Sequence, residues 1–130
     1  MARRLPRSPK FWLGGFLLWW ALLWVLSSLP HPAQIDPPFE YFDKIEHFGY
    51  FFGGAGLLCA WLFRKDPKNP NWRMLIATAV ICLGLIGGLD EYHQTFTPGR
   101  SGNDPYDLMA DLAGAVAGAF VFKRIHGCLK

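Results

Sequence analysis

The sequence predicts an all-α membrane protein: four transmembrane helices, both termini on the cytoplasmic side, and a polar cluster at the outer face. Three observations predict it. Of the 130 residues 52% are hydrophobic, with six tryptophans and eleven phenylalanines, which is too apolar for an ordinary soluble fold of this length. The apolar residues fall into four runs, at about 11–29, 45–63, 74–92 and 106–122, separated by polar segments. Finally, eleven of the thirteen Lys and Arg lie in the N-terminal arm, the 64–73 loop and the C-terminal tail, the bias that places such segments in the cytoplasm.

The first span, FWLGGFLLWWALLWVLSSL, runs for nineteen residues without a charge, enough to cross a hydrocarbon layer of roughly 30 Å. Its basic leader (Arg3, Arg4, Arg7, Lys10) and the small residues Ser27 and Ser28 also suit a cleaved signal peptide. Length and tryptophan content favour a retained helix. In the segment that follows, PHPAQIDPPFE, four prolines deny helix and central strand alike.

The second span opens on Glu46 and His47 and is loosened by Gly49, Gly53, Gly54 and Gly56, residues expected to form a helix-packing surface. RKDPKNPNWR is a tight basic turn. In the third span Gly84, Gly87 and Gly88 make a second small-residue face, and HQTFTPGRSGNDP then returns to water. The fourth span, 106–122, is near the lower length limit for crossing. No internal repeat, low-complexity tract or second domain is evident, so residues 1–130 read as one domain. The odd number of cysteines, without Cys-x-x-Cys or Cys/His spacing, predicts free thiols with no disulfide or zinc site, and no metal-ligating residue is singled out.

The acidic residues are partitioned against the basic ones: only Asp66 of ten lies on the basic side. The outer side thus holds Asp36, Glu40, Asp43, Glu46, Asp90, Glu91, Asp104, Asp107 and Asp111, with Lys44 and Arg100 as its only cations. Asp43, His47 and Tyr50 share one helix face at i, i+4 and i+7, and Asp90, His93 and Gln94 another at i, i+3 and i+4. Asp107, Asp111, Gly114 and Gly118 form a single stripe on the fourth span. Its Gly-x-x-x-Gly half admits a neighbouring helix closely and turns Asp111 inward. Asp111 lies about 6 Å deeper than Asp107 by helical rise. An aspartate at that depth costs about 2.5–3.5 kcal/mol unless partnered, by Lys44, Arg100, His47 or His93.

Each of these residues also has a plainer role. Asp43, Lys44 and Glu46 suit a solvated helix start, with Asp43 favourable near the N-terminus. Glu91 suits a frayed, wet end of the third helix, whereas Asp90 and Gln94 are better placed to face the cluster. Arg100, in PGRSG, suits bidentate capture of phosphate or carboxylate, or an ion pair with Asp104, Asp107 or Asp111. The tryptophans, Tyr41, Phe42, Tyr92 and Phe96 fit packing and an interfacial belt.

The segments DKIEHFGYFFGGAGLL, GLDEYHQTFTPGRS and YDLMADLAGAVAG, in that order, resemble the VanZ-like family. These are small bacterial membrane proteins, named for a member associated with lowered susceptibility to the glycopeptide teicoplanin. The resemblance covers about residues 20–120 and implies a multi-pass protein of the bacterial plasma membrane, within the cell envelope. Asp43, Lys44, His47, Tyr50, Asp90, Glu91, Gln94, Arg100, Asp107 and Asp111 fall on the family's polar pattern. Asp111 departs modestly, since many relatives carry asparagine there.

Three functions remain open. One is an enzyme on a lipid-linked phosphate or sugar, with His47, Asp111 and Asp90 as catalytic candidates. The second is a binder of an anionic lipid-linked or wall-precursor molecule, with Asp43, Lys44, Tyr50, Glu91, Gln94, Arg100 and Asp107 as its ligand-binding candidates. The third is a structural partner of another envelope protein. Mg²⁺ or Ca²⁺ would suit the carboxylates. Membrane lipids are expected partners and nucleic acid is not. No P-loop, H-E-x-x-H, C-x-x-C or G-x-S-x-G occurs. The apolar inner halves of the spans speak against a channel or transporter.

Overall fold

The computed structural model describes residues 4–29, 42–99 and 104–129. The proline-punctuated segment, Tyr41 and Arg100 lie outside the described residues. Four helices follow one another: α1 (Pro9–Ser28), α2 (Phe42–Lys65), α3 (Trp72–Gln94) and α4 (Pro105–Ile125), with a short 3₁₀ turn at His126–Leu129. Among the described residues there is no strand. The helices extend two or three residues past the apolar runs at most ends. α3 continues through His93 and Gln94, and Gln94 is buried at its C-terminal turn.

Local chemistry accounts for the ends. Pro9 and Pro105 occupy first-turn positions of α1 and α4, where a missing N–H leaves nothing unsatisfied. Asp104 caps α4 through Tyr106 N, 2.9 Å away, and Asn71 caps α3 through Met74 N at 3.2 Å. The helices are 20 to 24 residues long, about 30–36 Å by rise. α1 and α3 are apolar enough as well as long enough to cross a membrane.

α2 and α4 form the most closely packed pair, because glycine lets backbone meet backbone. A Cβ on Gly118 would lie 2.5 Å from Phe52 O and 2.8 Å from Ala55 Cβ, and one on Gly114 would collide with Phe48 O. α1 joins through Trp19, whose indole fills the space a Gly54 side chain would need. Trp19 Nε1 donates to Tyr50 O at 3.0 Å and the Tyr50 hydroxyl returns a bond to Trp19 O at 2.7 Å. Only some of the expected glycine faces pack. Gly49, Gly53, Gly56 and Gly88 have open space beside them, whereas Gly54, Gly84 and Gly87 meet neighbours.

The antiparallel succession of helices produces two chemically different ends. At one, Arg64 donates to the carbonyls of Arg7 (2.6 Å) and Leu129 (2.8 Å), beside Phe63, Trp72, Phe122 and His126 in mutual ring contact. At the other, the ends of α1 and α3 meet the starts of α2 and α4, and the polar residues turn inward. Leu85 and Ile81 on α3 are 67% and 64% exposed, while Asp111 is 0% and Asp90 3% exposed. Large apolar side chains thus lie on the outer surface while carboxylates are buried inside.

Candidate functional site

The polar end is organised in two layers. In the outer layer, Lys44 in the first turn of α2 reaches three carboxylates: Asp43 at 2.9 Å, Asp104 at 2.9 Å and Asp107 at 2.5 Å. One turn deeper, His47 Nδ1 donates to Asp111 Oδ1 at 2.8 Å, and its Nε2 lies 3.6 Å from Asp107 Oδ2. The i, i+4 spacing on α4 sets this arrangement, since it stacks Asp107 over Asp111 facing α2. His47 is the partner that the depth of Asp111 called for.

α3 supplies the third side. Glu91 is 4% exposed, not a wet helix end, and its Oε2 accepts the backbone N–H of Asp104 at 3.1 Å. Glu91 Oε1 and Asp111 Oδ2 are both buried without a hydrogen-bond partner. One ligand atom from each of His47, Glu91 and Asp111 lies within 4.8 Å of the others.

Asp90 faces α1 instead. Ser27 Oγ donates to its Oδ1, and Gln94 Nε2 donates to its Oδ2 at 2.9 Å. Thr97 Oγ1 donates to Ser27 O at 2.9 Å. His93 shares this side but not the cluster: it lies 2.9 Å from Ser28 Oγ and stacks on Trp24. Ser27 and Thr97 were not legible as site residues. Ser27 ended an apolar run, and its partner is 63 positions away.

Of the residues singled out from sequence, Asp43, Lys44, His47, Glu91, Asp107 and Asp111 are brought into one connected cluster. Asp90, Gln94 and Tyr50 border it across a cleft of about 770 Å³ between α1, α2 and α3, which His47 also lines. Its lining is mixed, with Ser27, Glu46, His47, Asp90 and Gln94 polar and Leu23, Leu26, Leu29 and Ile45 apolar. Arg100 lies outside the described residues.

The Lys44 hydrogen bond holds the Asp104 carboxyl below its ordinary value of 3.8, with burial opposing and the Tyr106 N–H assisting. A carboxylate with a lowered folded-state pKa stabilises the fold above its unfolded value, and the contribution disappears as pH falls through the folded value. Asp104→Asn is therefore expected to lower stability by a constant amount above about pH 4 and by progressively less below it. Unfolding in mixed micelles across pH 2.5–7 (roughly the range that brackets both states) checks this; a gap that persists unchanged at the acid end contradicts the assignment.

Fold and site define a small helical-bundle protein with several carboxylates, a lysine and one imidazole, that of His47, gathered at one end. The VanZ/LLP1 family model matches residues 10–126, nearly the whole chain, and the protein belongs to the VanZ-like family. Neither the curated proteins nor the solved structures yielded a match.

Proposed function

We propose that the chain is a single membrane domain, residues 1–130, of the bacterial plasma membrane, with four crossings, both termini cytoplasmic and the polar end outward. In this position its cleft binds a lipid-linked envelope molecule with an anionic headgroup. The observation that carries the reading is the mixed polar and apolar lining of the cleft. An amphipathic occupant lays its chain against Leu23, Leu26, Leu29 and Ile45 and its headgroup against the donors Ser27, His47 and Gln94, away from the Glu46 and Asp90 carboxylates. The membrane placement is supported by the apolar outer faces of α1, α3 and α4, by two helices suited to crossing, by family membership, and by the basic end opposite the acidic one.

Electrostatics narrows how an anion is held. Lys44 already serves three carboxylates, so the anion-holding role falls to Arg100, the other cation on this side of the chain. Lowered glycopeptide susceptibility is the consequence that family membership suggests, through competition for a wall precursor.

Protein in lipid nanodiscs, incubated with bacterial envelope lipid extract and recovered for mass spectrometry, tests the binding. A lipid-linked species is expected to be retained by the parent and depleted at least tenfold in folded His47→Gln and Gln94→Leu variants. Equal lipid profiles in parent and variants would refute the binding role. A species consumed by the parent alone would make the site catalytic.

A further inference from the structure

The two groups of acidic side chains at the polar end differ in what neutralises them. Asp43, Asp104 and Asp107 enclose the Lys44 ammonium, which lies within 2.9 Å of an oxygen of each. An internal cation is already in place. The inner group, His47, Glu91 and Asp111, is equally tight, its ligand atoms lying within 4.8 Å of one another. Among the described residues, however, no lysine or arginine pairs with Glu91 or Asp111.

Both inner carboxylates keep an oxygen without a partner, Glu91 Oε1 and Asp111 Oδ2, on residues 4% and 0% exposed. Buried oxygens of this kind call for a donor or a cation. We infer that His47, Glu91 and Asp111 bind a divalent transition-metal ion of the Zn²⁺ or Mn²⁺ class.

The donor set selects the class. A ring nitrogen with two carboxylate oxygens suits these ions, whereas Mg²⁺ and Ca²⁺ favour oxygen alone. Metal–ligand distances near 2.0–2.2 Å put tetrahedral ligands about 3.4 Å apart, so an ion would draw together by side-chain rotation three ligand atoms that already lie within 4.8 Å of one another. Gly87 keeps the approach to Asp111 clear: a Cβ there would lie 2.9 Å from Asp111 Oδ2. His47 retains 16% side-chain exposure and lines the cleft, which provides an entry path. Three protein ligands leave a further position for water or for an anionic group of the cleft's occupant. The ion site does not depend on what the cleft holds.

The test uses the whole chain in nanodiscs, stripped with chelator and titrated with Mn²⁺ alone while the free-ion paramagnetic resonance signal is followed, then with Zn²⁺ in competition. The expected result is one Mn²⁺ per chain, displaced by Zn²⁺. Glu91→Gln, Asp111→Asn and His47→Gln should each weaken binding at least tenfold, while Asp66→Asn at the basic end leaves it unchanged. Helical circular dichroism and monodisperse elution qualify each variant first, so a failure of Asp111→Asn to assemble leaves the other two decisive. Absence of stoichiometric binding in the parent overturns the assignment. So does binding that survives Glu91→Gln and His47→Gln, or binding removed by Asp107→Asn alone, which would place the ion in the outer group. Lipid retention is read separately, so either proposal can fail without the other.

Discussion

Gly114→Val is expected to destabilise the bundle by about 3 kcal/mol or more, at the upper end of what overpacking costs. The reason is what the new side chain meets. A Cβ at this position collides with Phe48 O, and its other nearest atoms are Phe48 C and Cα. Backbone within a helix cannot rotate aside as a side chain does, so α2 and α4 must separate along the face that also carries Gly118. Separation would lengthen the His47–Asp111 contact of 2.8 Å, so the variant should lose ligand binding together with stability. Gly53→Ala on α2 is the control, because nothing lies within 4 Å of its Cβ; in a helix interior it should hold stability or raise it by up to about 1 kcal/mol. Unfolding in mixed micelles reads both. Equal stabilities for the two variants would mean that α2 and α4 do not meet as described.

Much of this architecture was legible because long apolar helices advertise themselves through run length and the charges that flank them. Run length located α1 and α3, and the partition of Lys and Arg against Asp and Glu anticipated an acidic end and a basic end. The stripe Asp107, Asp111, Gly114 and Gly118 was legible for a stronger reason: one helix carries both its polar and its close-packing members, so 3.6-residue periodicity alone sets their direction. Gly114 and Gly118 do bring α4 against α2.

What escaped depended on partners from other helices. Gly53 and Gly54 are adjacent and chemically identical, yet only Gly54 receives an indole, since Trp19 approaches one face of α2. Asp90 and Glu91 sit about 100° apart on α3; both were site candidates, but which helix each would meet was not legible. Both are buried, because α1 covers one side of α3 and the start of α4 the other. Lys44 illustrates the same limit. Its charge suggested an anion holder, but its neighbours Asp104 and Asp107 come from a segment 60 residues away.

The His47–Asp111 pair allows stability and function to be separated. His47→Leu leaves Asp111, 0% exposed, with both oxygens unpartnered, and breaking a buried ionic pair in this way costs about 3–5 kcal/mol. Asp111→Leu strands only an imidazole N–H, a loss of about 1–3 kcal/mol. The double variant His47→Leu/Asp111→Leu removes both polar groups and fills the space with apolar atoms, so its cost should fall below that of His47→Leu alone, a coupling of about 2 kcal/mol or more. Unfolding of the four proteins, each stripped of metal, measures that cycle. Additive losses would mean that the two groups do not interact across α2 and α4. If the double variant is stable yet retains neither lipid nor Mn²⁺, the pair is kept for what it binds; a bundle needing it only for cohesion would be served as well by leucine.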